Sequence, residues 1–168
     1  MSARPISILA LMMAAVSTPA LAQDPAHHPG EEAVAAYAVA DANAGAEPMT
    51  DDAVFVAFHG IDGVSRIVDA TLDHSLADPR IADIFAATDM VRLRRTLKEQ
   101  ICYILGGGCR YSGRTMVQAH ADMGLQPADM GALVEHLQDA MAEEGVPFAA
   151  QNRLLARLAP MRREVVTR

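Results

Sequence analysis

The chain has 168 residues, enough for one domain with a real core. Its formal charge of −7 and pI near 5.2 argue against nucleic acid and anionic membrane surfaces as partners. With no tryptophan and ten methionines, the composition favours helix over sheet.

Ser2-Ala-Arg4 gives a short basic start, Ile6 to Val16 is apolar, and Ala20-Leu-Ala22 supplies small residues at the spacing of a cleavage site. This three-part form predicts a secretory leader over residues 1–22, and hence an exported, periplasmic protein. The alternative, an uncleaved anchor, needs a longer apolar run, and no other segment could span a bilayer, so no membrane span is expected after cleavage. Residues 23–50 are rich in alanine, with Pro25, Pro29, Gly30, Gly45 and Pro48 as breakers. They are expected to form a mostly disordered linker, with His27 and His28 in a solvated tail.

The folded domain is predicted over 51–168. Asp51 and Asp52 open a short helix with Val54, Phe55 and Phe58 on its apolar side, and His59-Gly60 ends it. A second helix is predicted over 62–76, where Val64, Ile67, Val68, Leu72 and Leu76 recur at helical spacing and His74 lies off the stripe, at the surface. Pro79 suits the first turn of a short helix carrying Ile81, Ile84 and Phe85. Thr88-Asp89 then offers an N-cap for a longer helix reaching about Leu105. Met90, Leu93, Leu97, Ile101 and Ile104 line one face of it. Arg92, Arg94, Arg95 and Lys98 form the other, read as a solvated face with a minority alternative in which one of them meets an anionic group of a ligand.

Gly106-Gly107-Gly108 stops that helix. The two cysteines, Cys102 and Cys109, flank the stop. In an exported chain an even pair reads as a disulfide, with two unlinked thiols as the alternative. The spacing is neither Cys-x-x-Cys nor Cys-x-x-Cys-His, so thioredoxin-like chemistry and covalent haem attachment of the c type are not indicated. Next comes Arg110 to Leu125, with a short helix predicted to end near Gly124. On it Met116, His120 and Met123 share an apolar face. A neutral imidazole in such a wall is either a satisfied core residue or a haem ligand. Pro127 and Asp129 start a further helix with Met130, Leu133, Val134, Leu137 and Met141 inward and His136 on the solvent side. A last helix is predicted over 148–166, with Leu154, Leu155, Leu158, Met161 and Val165 inward. No period-two alternation is found, so the fold class is all-α.

From Asp51 to Val166 the order of signals resembles the group I truncated haemoglobins. The resemblance rests on Leu76-Ala-Asp-Pro-Arg80, Phe85-Ala-Ala-Thr-Asp-Met90, Gly106-Gly107, Tyr111-Ser-Gly113, and Ala119-His120 followed by Gly124. It implies a two-over-two helical sandwich around non-covalent haem b, with His120 as the proximal iron ligand and Phe85 stacked on the haem. It also implies Leu72, Leu93 and Leu97 at the distal side, and Thr88, Tyr111 and Met116 near the haem edge. Met123 and Leu133 suit the apolar wall. The cysteines match an exported branch of the family in which the long helix is stapled to the following loop.

Three residues depart from the family pattern: Leu72 stands for tyrosine, Leu97 for glutamine, and His59 for the first glycine of a Gly-Gly pair. The inferred distal pocket therefore lacks a hydroxyl or amide donor. The expected function is reversible binding of O2, CO or NO, with fast O2 release, easy autoxidation and CO relatively favoured. Nitric oxide or peroxide chemistry stays open; the former would need an unidentified reductant. The alternatives are a haem-free helical binding module and a thiol/disulfide protein acting through Cys102 and Cys109.

Overall fold

The computed structural model describes residues 28–167, and among them every regular element is helical. The leader and His27 lie outside the described residues. The helices are α1 (Ala53–Ala57), α2 (Gly60–Ala77), α3 (Met90–Ile104), α4 (Met116–Ala119), α5 (Pro127–Glu143), α6 (Phe148–Leu158) and α7 (Arg162–Val165). α2 packs on α3 and on α5, and α5 packs on α6, as in a two-over-two sandwich.

α1 buries Val54, and the chain leaves it through fully buried Phe58. His59 then turns the chain at φ 59°, ψ 31°, the left-handed conformation that a Gly-Gly pair adopts without strain. Its ring lies 2.9 Å from Glu144 Oε1, and Arg66 Nε donates to the other oxygen of that carboxylate at 2.9 Å. The departure from Gly-Gly is thus accommodated at the cost of a side chain in a glycine conformation, with α5 supplying it a partner.

Along α2 the stripe Val64, Ile67, Val68 and Leu72 is buried as its periodicity requires, but Leu76 is 41% exposed. Thr71 and Ser75 extend the buried side instead. Each donates its hydroxyl to the carbonyl four residues back, at 2.7 Å, which lets a polar side chain enter an apolar layer. α3 starts where the cap predicts, with the Asp89 carboxylate accepting the Arg92 N–H at 3.0 Å. It ends at the glycines, where a Cβ on Gly106 would stand 2.6 Å from the Met49 carbonyl oxygen and one on Gly107 would stand 2.5 Å from the Phe55 ring. Cys102 and Cys109 are joined as a disulfide across this turn, with Cα atoms 5.7 Å apart.

Four sequence expectations are corrected. The segment 28–50 is not a loose linker. It runs along α3 with Glu31 buried, forms a 3-10 turn at Asp41–Ala44 and buries Ala44 and Met49 in the core. Alanine enrichment hid this, because the arm is held by polar anchors rather than by an apolar stripe. The basic face of α3 is not simply solvated, nor are its charges free for a ligand. Arg95 Nε donates to Glu31 at 2.5 Å, Arg92 pairs with Asp89 and Glu31, and Arg94 and Lys98 pair with Asp69. His136 is not on the solvent side either. Its Nε2 lies 3.0 Å from Asp78 Oδ2, with 12% of the side chain exposed. Finally, the terminal helix is broken into α6, a 3-10 turn at Ala159–Met161, and α7. Pro160 has no N–H for the carbonyl one turn back, so the α-helical ladder is interrupted there.

Two carboxylates make stability depend on pH. Arg80, through its side chain and backbone, and then His136 hold the Asp78 carboxyl down at about 2, and Arg66 followed by His59 does the same for Glu144. Both are depressed relative to ordinary values of 3.8 and 4.5, so their contribution is complete above that range and is lost as pH falls toward 2. The melting temperature is expected to fall over this window. The Asp78→Asn/Glu144→Gln double variant should show a lower plateau and a flatter fall, whereas an acid profile parallel to the parent would contradict the assignment.

Candidate functional site

α4 is short because its signals are local. Thr115 Oγ1 accepts the Gln118 N–H at 3.2 Å, and the Gln118 side-chain oxygen accepts the Thr115 N–H at 3.3 Å, a capping box. The helix ends at Ala119, and the chain then leaves through His120, Asp122 (φ 62°) and Gly124 (φ 64°). The expected continuous face of Met116, His120 and Met123 therefore does not exist as one helix. Met116 and His120 share a turn, and Met123 is brought beside them by the bend.

His120 Nδ1 lies 2.8 Å from the carbonyl oxygen of Met116. A carbonyl oxygen only accepts, so Nδ1 carries the hydrogen, and in the neutral ring Nε2 keeps a free electron pair. The same carbonyl accepts the His120 backbone N–H at 3.1 Å. The imidazole is half-buried in the wall of a cavity of about 200 Å³ lined by α3, α4, α5 and the segment 81–88. Phe85, Thr88, Leu93, Leu97, Tyr111, Met116, His120 and Met123 all line it, together with Leu133. A second space of about 380 Å³ shares Leu97, Gln100, Met116, His120 and Leu133 and continues toward α2 and α6.

Leu72 is 1% exposed and lines neither space; on α2 it is Val68 and Thr71 that do. One step along a helix turns a side chain by about a quarter turn, so position matching alone placed the wrong neighbour at the wall. Sequence reasoning also missed Gln100, which lines both spaces. It sits three residues after Leu97 and seven after Leu93, so helical spacing carried the signal, but its polarity kept it out of an apolar stripe.

The wall is thus not free of hydroxyls and amides. Its donors are largely engaged, however. Thr71 donates to the Ile67 carbonyl at 2.7 Å, Thr96 to that of Arg92 at 2.9 Å, and Tyr111 to that of Arg114 at 3.0 Å. Burial pushes the Tyr111 phenol up to about 12, so it remains a neutral donor. The Gln100 amide donates to the Ala44 carbonyl at 2.8 Å and lies 3.4 Å from Met116 Sδ. Among the described residues no group of three His, Cys, Asp or Glu side chains could hold a metal together. His120 offers a single ring nitrogen in an apolar cleft, a donor that would suit an iron already held in a planar apolar ring. Both cysteines are in the disulfide, and no free thiol is found among the described residues.

The model of the family described as "Bacterial-like globin" matches residues 54–167. A group 1 truncated hemoglobin from Mycolicibacterium paratuberculosis is 30% identical over 122 residues, spanning 73% of this chain and 88% of its own. One from Nostoc commune is 30% identical over 65% of this chain and 92% of its own. Among solved structures, the Fe(III) form of the truncated hemoglobin from Tetrahymena pyriformis superposes with a TM-score of 0.65 at 26% identity, over 68% of this chain and 98% of that one. The 2/2 hemoglobin from Synechococcus, in a cyanomet state with covalently attached heme, gives a TM-score of 0.64 at 26% identity, over the same shares.

Proposed function

This chain belongs to the bacterial-like globin family, among the truncated haemoglobins, and on that premise we propose that it holds one non-covalent haem b and exchanges O2, CO or NO there. The carrying observation is the bond from His120 Nδ1 to the Met116 carbonyl, which leaves the other ring nitrogen as a neutral ligand in an apolar wall. Haem, when bound, would supply an iron that His120 would hold and that would take up a small gas. The Met116 carbonyl orients the imidazole and raises its basicity. Phe85, Leu93, Leu97, Met116 and Leu133 keep water from the cleft, while Thr88 and Tyr111 stand in the same wall. Addition of haem to the purified mature protein should give a Soret band that saturates at one haem per chain and shifts with CO. A titration with no saturable band would refute the proposal.

The leader-like start and the cysteine pair support export to the periplasm. In that compartment the Cys102–Cys109 bond is expected to form and to persist. It closes a short loop, so the Cys102→Ser/Cys109→Ser variant should lose at most about 2 to 3 kcal/mol of stability. Denaturant unfolding with and without reductant checks this: a parent as sensitive to denaturant oxidised as reduced is the contrary result.

A further inference from the structure

Resting on the reading of His120 as the ligand, we infer that Gln100 and residues 41–45 form a brace that sets the angle of its imidazole. A helix of four residues cannot hold its own geometry, because its ladder is too short to outweigh the cost of starting it. α4 is such a helix, and the carbonyl of its first residue, Met116, accepts both the backbone N–H and Nδ1–H of His120. Whatever fixes Met116 therefore fixes the ring.

The arm does this from two sides. Ahead of α4, the Asp41 carboxylate accepts the Tyr111 N–H at 2.9 Å, and Asn43 Nδ2 donates to the Gly113 carbonyl at 3.2 Å. Against α4, the Gln100 amide, 7% exposed, reaches the carbonyl of fully buried Ala44 at 2.8 Å and lies 3.4 Å from Met116 Sδ. Gly45, at φ 81°, lets the backbone pass the Met116 side chain, and a Cβ there would stand 3.1 Å from Met116 Cγ and 3.1 Å from Met161 Sδ. Residues 41–45 precede the stretch that the globin family model matches, which begins at 54. The arm's part of the brace lies ahead of the family match and Gln100 lies within it, and both act as positioning residues through Met116.

The test uses two full-length variants, Gln100→Leu and Asn43→Ala. Gln100 is buried and its loss can disturb the core, whereas half-buried Asn43 can be truncated with little packing change, so the second variant decides if the first does not fold. In haem-free protein, the His120 Nδ1–H resonance followed by NMR should exchange with water about tenfold faster than in the parent, with unchanged helical circular dichroism. In haem-loaded ferrous protein, the iron–histidine stretching band should shift and haem release should quicken about tenfold. Parent-like Nδ1–H exchange and an unmoved stretching band in a folded variant would overturn the brace. A parent that takes up no haem would sink the ligand reading instead, and the exchange measurement on haem-free protein would still judge the brace.

Discussion

Replacing His120 with alanine is expected to abolish the saturable Soret band at equimolar haem while leaving the helical circular dichroism intact. The separation follows from where the residue sits. His120 closes a four-residue helix and is half-buried in a cavity wall, and it is not part of the buried cluster built on Phe58, Ile67, Leu72, Ile104 and Leu154. Its removal takes away the only nitrogen that the described wall presents with a free electron pair in an orientation held by a backbone carbonyl. Exogenous imidazole should restore part of the band, since the apolar wall that encloses the ring remains. An alanine variant with the parent's band and stoichiometry would move the ligand to another residue.

The second large effect concerns gas release. Leu97→Gln is expected to slow O2 dissociation about tenfold or more, with CO dissociation changed far less. O2 draws negative charge from iron and gains from a donor, and a hydrogen bond to a charged group contributes about 1.5 to 3 kcal/mol. Leu97 lines both spaces, and the existing donors near it are engaged elsewhere: the Gln100 amide with Ala44 and Met116, the Thr71 hydroxyl with Ile67. The companion variant Leu72→Tyr separates the structure from the family pattern. Leu72 is 1% exposed within the core, so a phenol there overfills packed space and is expected to cost about 1 to 3 kcal/mol of stability with little gain in O2 retention. Stopped-flow release measured on both variants decides. Slow release from Leu72→Tyr and parent-like release from Leu97→Gln would put α2, not α3, at the ligand.

Much of this fold was legible because its long helices advertise themselves. α2, α3 and α5 carry apolar residues at steps of three and four, and Asp89, the triple glycine and Pro127 punctuate them, so the observed bounds fall close to the predicted ones. The all-helical class followed from the same periodicity. What stayed hidden depended on partners distant in sequence. Nothing around Glu31 announces that two arginines sixty-odd residues away will enclose it, and His136 meets Asp78 only once α2 and α5 have packed. The break at Pro160 was the opposite case, a local signal overlooked because the apolar stripe runs through it.

For the site, spacing and resemblance gathered nine of the wall's side chains, yet put Leu72 there and left out Gln100. Residue type biased that choice. An amide was discounted on an apolar face, although burial is tolerated once each N–H has an acceptor.

The burial of Glu31 has a practical corollary for how the gene is cut. Its side chain is 0% exposed between the guanidinium groups of Arg92 and Arg95, and Arg95 holds the carboxyl below the usual carboxylate range. An expression boundary drawn where the globin family match begins, at residue 54, would discard that counter-charge, leave Arg92 to Asp89 and Arg95 to Glu99, and uncover the core where Ala44 and Met49 close it. A trimmed recombinant domain of this kind would report the frailty of a maimed protein, not the temper of the native one.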